Sequence, residues 1–364
     1  MKRIAACCLL LSLLTVPALA AEEAPAYAAS PWAQTEVEEA AALGLDRWTG
    51  VGDTSSGILW GDLQQSISRG DFASAAAALS AVEHGSRLES YLRIETCHRK
   101  VAGETPYGLT ALDVARELGI LQGRGDGELD PYASITRQEA AVMLARTLRS
   151  YREAPEEAGE LPFADAGDIA PWAAADVALM YRLGVMNGVG EDRFDPLGTY
   201  TIEQCMASLV RLHENAPYDG SRAEDPFAIQ RVAGGYAESW TDAELAFAVE
   251  TEDWWAMAWT GPAVMGGPFF HIDVIDSGLG LRTYEPPVLS SYSDFRGAGH
   301  PWPRDVRVSE DGGAILYDAV VDRDVYKNGL EDQPLLFQRG LYTITMDLAT
   351  GEQTWTRSDL PEAG

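Results

Sequence analysis

Apolar positions recur at helical spacing through the front half of the chain and at strand spacing near its end, and the change falls around residue 226. The clearest helical stretch is 109–118, where Leu112, Ala115 and Leu118 share one face before Gly119 stops the helix. Ile120 and Leu121 lead into Gly123, Gly125, Asp126 and Gly127. This is a tight loop, in which glycine permits positive φ and aspartate bonds the nearby backbone. After Leu129-Asp130-Pro131, Thr136 caps a second helix with Glu139 three residues on, a capping box. Ala141, Leu144, Ala145 and Leu148 then line one face of that helix.

The same order appears three times, at intervals of about 65 to 75 residues. Each unit begins with Pro and an aromatic: Pro31-Trp32, Pro106-Tyr107 and Pro171-Trp172. Each closes on a hydroxyl residue that opens a helix: Ile67-Ser68-Arg69, Ile135-Thr136-Arg137 and Tyr200-Thr201-Ile202. A fixed period means one small unit reused, and such a unit buries too little apolar surface to stand alone. The first unit is degenerate, since its middle segment, 46–63, lacks the glycine-aspartate-glycine turn. Beyond a polar linker, short alternating runs predict strands at 245–249, 254–259, 269–275, 314–321, 341–348 and 353–357. They make one all-β domain, a sandwich or a strongly twisted sheet.

The run from Gly119 to Pro131 followed by Ile135-Thr136-Arg137-Gln138-Glu139 resembles an S-layer homology repeat. So does the run from Gly184 to Pro196, after Phe163-Ala164-Asp165 and Pro171-Trp172-Ala173. The resemblance implies a multidomain α+β chain with a pseudo-threefold helical trimer in front of a mainly-β domain. The expected divisions are a signal peptide at 1–20, repeats at 28–90, 91–152 and 160–215, a linker at 216–226 and the β-rich domain at 227–364. It also implies grooves between helical prongs that bind secondary cell-wall polymer, often pyruvylated, or peptidoglycan-linked polysaccharide. Arg69 and Arg137 are the carried-over ligand contacts, with Thr136 beside them at the helix mouth, while Ile202 departs from the pattern. Free amides and the positive dipole end of a helix favour an anion, and arginine adds a planar donor fork for a carboxylate. Trp32, Tyr107 and Trp172 offer sugar stacking, although a role as buried anchors fits their large area better.

Composition narrows the setting. Lys2 and Arg3, a short apolar stretch over 4–16 and Ala18-Leu19-Ala20 form a secretory signal, too short to span a bilayer. The formal charge of −29 excludes general nucleic-acid binding, which needs a basic footprint. Cys7 and Cys8 leave with the signal, and Cys97 and Cys205 are either one disulfide or two buried thiols.

Catalytic chemistry is absent from the sequence as read. There is no Gly-x-Ser-x-Gly elbow, and His271 and His300 lie 29 residues apart. Glu250, Glu252 and Asp253 sit in a turn and read as solvated acids instead of a glycosidase pair. Asp126, Asp130, Asp192 and Asp195 read as turn formers, not metal ligands. The expectation is a secreted cell-surface protein that binds carbohydrate, needs no cofactor and, with the C-terminal domain left open, is not an enzyme. A wall-tethered hydrolase and a protein-interaction scaffold are the competing readings.

Overall fold

The computed structural model describes residues 29–48, 62–104, 109–125, 127–155, 159–229, 245–261, 269–284, 303–327 and 330–360. The signal segment, Tyr107 and Asp126 lie outside them. The helices are α1 (Gln34–Ala42), α2 (Arg69–Glu83), α3 (Leu88–Val101), α4 (Ala111–Glu117), α5 (Arg137–Tyr151), α6 (Ala174–Arg182) and α7 (Ile202–Asn215). No described helix is long and apolar enough to cross a membrane.

Caps fix where the three long repeat helices begin. Ser68, Thr136 and Thr201 accept the amides of Asp71, Glu139 and Gln204, and in the last two pairs the third residue bonds back to the cap's own amide. The helices α2, α5 and α7 touch one another and form the shared core, while α4 lies on α2, α6 on α5 and α1 on α7. Each first helix therefore packs on the second helix of the preceding repeat, and the first repeat closes the circle onto the third. Phe72, Leu79 and the alanines at 73, 75–78 and 81 are buried in α2, so small side chains let its neighbours approach closely.

At the centre, backbone bonds close a ring. Ile67 donates to the Tyr200 carbonyl at 3.0 Å, Tyr200 to Ile135 at 3.1 Å, and Ile135 to Ile67 at 3.4 Å. The pseudo-threefold expected from the repeats is thus present in the main chain, with one extended residue from each unit.

The β unit has ten strands among the described residues: β1 (Leu245–Glu250), β2 (Trp254–Gly261), β3 (Phe269–Asp276), β4 (Leu281–Tyr284), β5 (Arg304–Val308), β6 (Ala314–Val321), β7 (Val325–Tyr326), β8 (Leu335–Phe337), β9 (Gly340–Asp347) and β10 (Gln353–Ser358). Two antiparallel sheets, ordered β1-β2-β3-β4 and β10-β9-β6-β5, face each other, and β7 pairs with β8. Ala258, Ile272 and Val274 of the first sheet meet Ile315, Tyr317 and Ile344 of the second. Along β6 and β9 burial alternates, as expected for a sheet with one wet face.

The first sheet is covered on its other side by α3, a helix absent from the repeat pattern and cut by the expected boundary at residue 90. Leu88, Tyr91 and Leu92 join the helical core, whereas Ile94 and Cys97 join Trp255, Met257, Trp259 and Ile275 of the sheet. Ser90 Oγ donates to the Leu279 carbonyl at 2.7 Å, and Arg93 Nε lies 3.3 Å from Oδ2 of fully buried Asp273. Thr283 Oγ1 donates to Asp273 Oδ1 at 2.6 Å, and His271 Nε2 lies 3.6 Å from Oδ2. One helix thus carries two apolar faces and joins the halves of the protein.

Three sequence expectations change. The polar linker is laced to the helical unit: Tyr218 N donates to Glu83 Oε2 at 2.7 Å, and Arg152 Nη1 donates to the Pro217 carbonyl at 2.8 Å. Phe227, assigned to the β domain, is buried in the helical core with its ring centroid 5.2 Å from that of Tyr91. Glu250 is the last residue of β1 and its carboxylate oxygens are buried, so only Glu252 and Asp253 occupy the exposed turn. Of the open alternatives for the cysteines, the structure has two buried free thiols. Cys97 is pushed up to about 12, first by burial and then by the Glu250 charge. Trp255 and Trp259 serve the core under α3, Trp355 is partly exposed, and Trp302 lies outside the described residues.

Arg93→Ala strips the cation from buried Asp273 while leaving the apolar contacts of α3. It is expected to lower stability by about 2 kcal/mol, read by chemical denaturation, with faster amide exchange in β3 and β4.

Candidate functional site: helix starts and exposed aromatics of the helical ring

The sequence places arginine at the first helical position of α2 and α5, and the fold decides where each side chain goes. Arg69 and Arg137 are only 5% and 6% exposed. Arg69 Nη2 donates to the Gln122 carbonyl at 2.9 Å and Nε to the Leu129 carbonyl at 3.3 Å, with Nη1 3.3 Å from Glu139 Oε1. Arg137 repeats the geometry one unit later: Nη2 donates to the Asn187 carbonyl and Nε to the Phe194 carbonyl, both at 2.8 Å. Its guanidinium lies 5.0 Å from the Phe194 ring centroid and 5.5 Å from that of Tyr200. Burial, then the like charge of Arg124, pull Arg69 below the ordinary arginine value.

Gln122 and Leu129 hold the same places in the second glycine loop that Asn187 and Phe194 hold in the third. Each arginine therefore clasps the loop of the next repeat. Ile202 of α7 faces the first repeat, as its amide donates to the Gln65 carbonyl at 3.1 Å, and that repeat lacks the glycine turn. Ile202 thus replaces arginine at the one helix start whose facing repeat lacks the glycine turn in its sequence.

The helix starts are not the open anion sites expected from the sequence. Arg69 and Gly70 donate their amides to Ala133 and Pro131 carbonyls, Arg137 and Gln138 to Gly198 and Pro196, and Ile202 and Glu203 to Gln65 and Leu63. The caps take the amides at the third position, Thr136 among them, so its hydroxyl is spent on the helix. Buried amides must find acceptors, and here the next repeat supplies them.

Exposed groups lie elsewhere. Trp32 and Trp172 are 50% and 59% exposed, so they are not the buried anchors favoured on area alone. Ala33 and Ala173 beside them are fully buried and take that role. Tyr132, just after Asp130-Pro131, is also exposed. Its aromatic character at the tip of a proline turn was the available sequence signal. Exposed Arg124 lies 3.0 Å from Asp130 Oδ2 and 2.9 Å from Glu139 Oε1, and exposed Arg193 lies 3.4 Å from Asp165 Oδ2. Asp130, Asp192 and Asp195 adopt positive φ, the conformation of tight turns. Among the described residues no group of three His, Cys, Asp or Glu side chains is placed to hold a metal ion.

Glu139 gathers the loop and the cap. Its Oε2 accepts from Thr136 N and Oγ1, both at 2.9 Å, while Oε1 faces Arg69 and Arg124. Burial alone would raise its pKa, but the Thr136 bonds and the Arg124 charge outweigh it and hold it below the ordinary value.

Arg137→Ala uncovers two buried carbonyls and two ring faces. It is expected to cost about 3 kcal/mol in urea unfolding and to speed amide exchange over 187–194. Glu139→Gln is expected to cost about 1 kcal/mol at neutral pH. Because the folded pKa is depressed, that stability is present above the unfolded glutamate value of about 4.3 and is lost as pH falls through the lower folded value. Parallel acid titrations of the two proteins should therefore converge below that value.

The S-layer homology domain family matches residues 101–141 and 162–199, the stretches that hold α4 with the second glycine loop and α6 with the third. The chain is 34% identical over 109 residues to "Exoglucanase XynX" of Acetivibrio thermocellus, a match over 29% of this chain and 10% of that protein. It is 33% identical over 109 residues to "Amylopullulanase" of Thermoanaerobacterium thermosulfurigenes, covering 29% of this chain and 6% of the relative. In both cases most of the relative lies outside the likeness. The chain thus carries two stretches that match the S-layer homology domain, set within a closed ring of three helical units.

Proposed function

We propose that this is an exported protein held non-covalently at the cell wall, with its helical ring docked on secondary cell-wall polymer or peptidoglycan-linked polysaccharide and its β-sandwich carried outward without catalysis. The observation that carries this reading is the pair of outward-facing tryptophans at matching points of a ring built from S-layer homology repeats. A protein normally covers such area, and aromatic faces suit sugar rings. The two relatives support an attachment role. Their printed names differ in activity, yet each shares a 109-residue stretch with this chain, so that stretch follows what they have in common and not their separate chemistry. The segment over 1–20 supplies the export signal in this reading.

Stacking, more than ion pairing, holds the polymer. The two first-turn arginines are occupied by loop carbonyls, and the accessible Arg124 and Arg193 face carboxylates of their own. At a formal charge of −29 the protein repels an anionic polymer at long range, and salt screens that repulsion.

Purified wall sacculi should retain the full mature chain. Trp32→Ala and Trp172→Ala should each weaken retention about fivefold while leaving thermal unfolding nearly unchanged, since an exposed ring adds little to the core. Retention should survive raised ionic strength; loss of binding in salt with both tryptophan variants unaffected would refute the stacking account.

A further inference from the structure

Trp32 and Trp172 occupy the same place in the same turn. Ala33 N donates to the Ser30 carbonyl at 2.9 Å, and Ala173 N donates to the Ala170 carbonyl at 2.9 Å, so each Pro-Trp pair forms the middle of a four-residue turn. Proline presets φ at the second position, and the tryptophan follows at the third. One end of each turn is fixed by the buried alanine that leads into α1 or α6. The other end is fixed from a different repeat. Ser30 N donates to Glu203 Oε2 and Ser30 Oγ to Glu203 Oε1, both at 2.9 Å. Gln64 Nε2 adds a 3.2 Å bond to Ser30 Oγ. At the matching turn, Ala170 N donates to Gln138 Oε1 at 2.9 Å.

Glu203 and Gln138 are the second residues of α7 and α5, and both are buried. Their own amides are bound to the next repeat's loop, which leaves the side chain to reach the following prong. The second residue of α2 is Gly70. A Cβ there would lie 3.0 Å from both the Cβ and the carbonyl oxygen of Pro131, so a side chain would fit only if Pro131 gave way by a few tenths of an ångström.

We propose that Glu203 and Gln138 are positioning residues that aim Trp32 and Trp172 for the polymer, while α2 carries Gly70, which has no side chain, at the matching position. The inference rests on the wall-polymer reading and goes further by assigning the aim of each tryptophan to a residue of a neighbouring repeat. A bond that fixes the turn before binding removes ordering that would otherwise oppose association. The Glu203 turn has two bonds from Ser30 to an ionised acceptor, whereas the Gln138 turn has one to a neutral acceptor, so Trp32 is the more firmly set of the two.

The test uses the full mature chain, with amide exchange at Ser30 and sacculus retention measured on the same preparations. Glu203→Ala should speed Ser30 exchange about tenfold and weaken retention about fivefold. Glu203→Gln, which recreates the Gln138 arrangement, should restore most of both. Unchanged Ser30 exchange in Glu203→Ala overturns the tether. Faster exchange with retention unchanged, while Trp32→Ala still weakens retention, overturns the positioning role and leaves the polymer reading standing. A wild-type chain that sacculi do not retain overturns the polymer reading and this proposal together.

Discussion

Every repeat in this protein is finished by its neighbour, through backbone amides at the start of one helix and carbonyls in the next unit's loop. The pattern runs from the first unit to the second, from the second to the third and from the third back to the first. An isolated unit would leave two helix-start amides and a glycine loop unsatisfied, in addition to its exposed apolar face. Burial alone would bring the units together in many orientations. The directional bonds choose one, because an amide N–H donates only within a narrow range of angles. The buried arginines belong to the same device, since Arg69 and Arg137 extend each helix start into the loop it already contacts.

That constraint also separates structural groups from displayed ones. Helix-start amides, hydroxyl caps and first-turn arginines face inward or sideways because each meets an acceptor supplied by the fold. The tryptophans stand outward because the neighbouring alanines, Ala33 and Ala173, fill the space against the core. The ring therefore shows tryptophan faces to solvent while its first-turn arginines are already engaged.

The helix α3 gives the β-sandwich a fixed relation to the ring. Its tyrosine and leucines pack on one side, and Ile94, Cys97 and Arg93 on the other. The first sheet, buried on both faces, could not stand in water alone without exposing Trp255, Met257 and Trp259. The sandwich is therefore no appendage on a loose tether. The 216–226 segment reinforces this by lying along the helical unit, with Phe227 locked into its core.

Much of the fold was legible along the chain. Period, capping residues and glycine turns are local properties, so the helices α4 to α7, the hairpins around 252 and 350, and the threefold order followed from spacing alone. The residues of the candidate site were legible too, but their directions were not. Spacing put arginine at the mouth of α2 and α5; only the position of the next repeat's carbonyls made it a buried clasp instead of an open hand. Residue size argued for buried tryptophans; only the packed alanines beside them showed that they face out. The two-faced helix α3 was missed because a helix with apolar residues on both sides has no single stripe to read. Sequence by itself determined which local pieces form and how often they recur, while tertiary structure decided which donors remained for a ligand, since satisfying a polar group depends on what another part of the chain brings within about 3 Å.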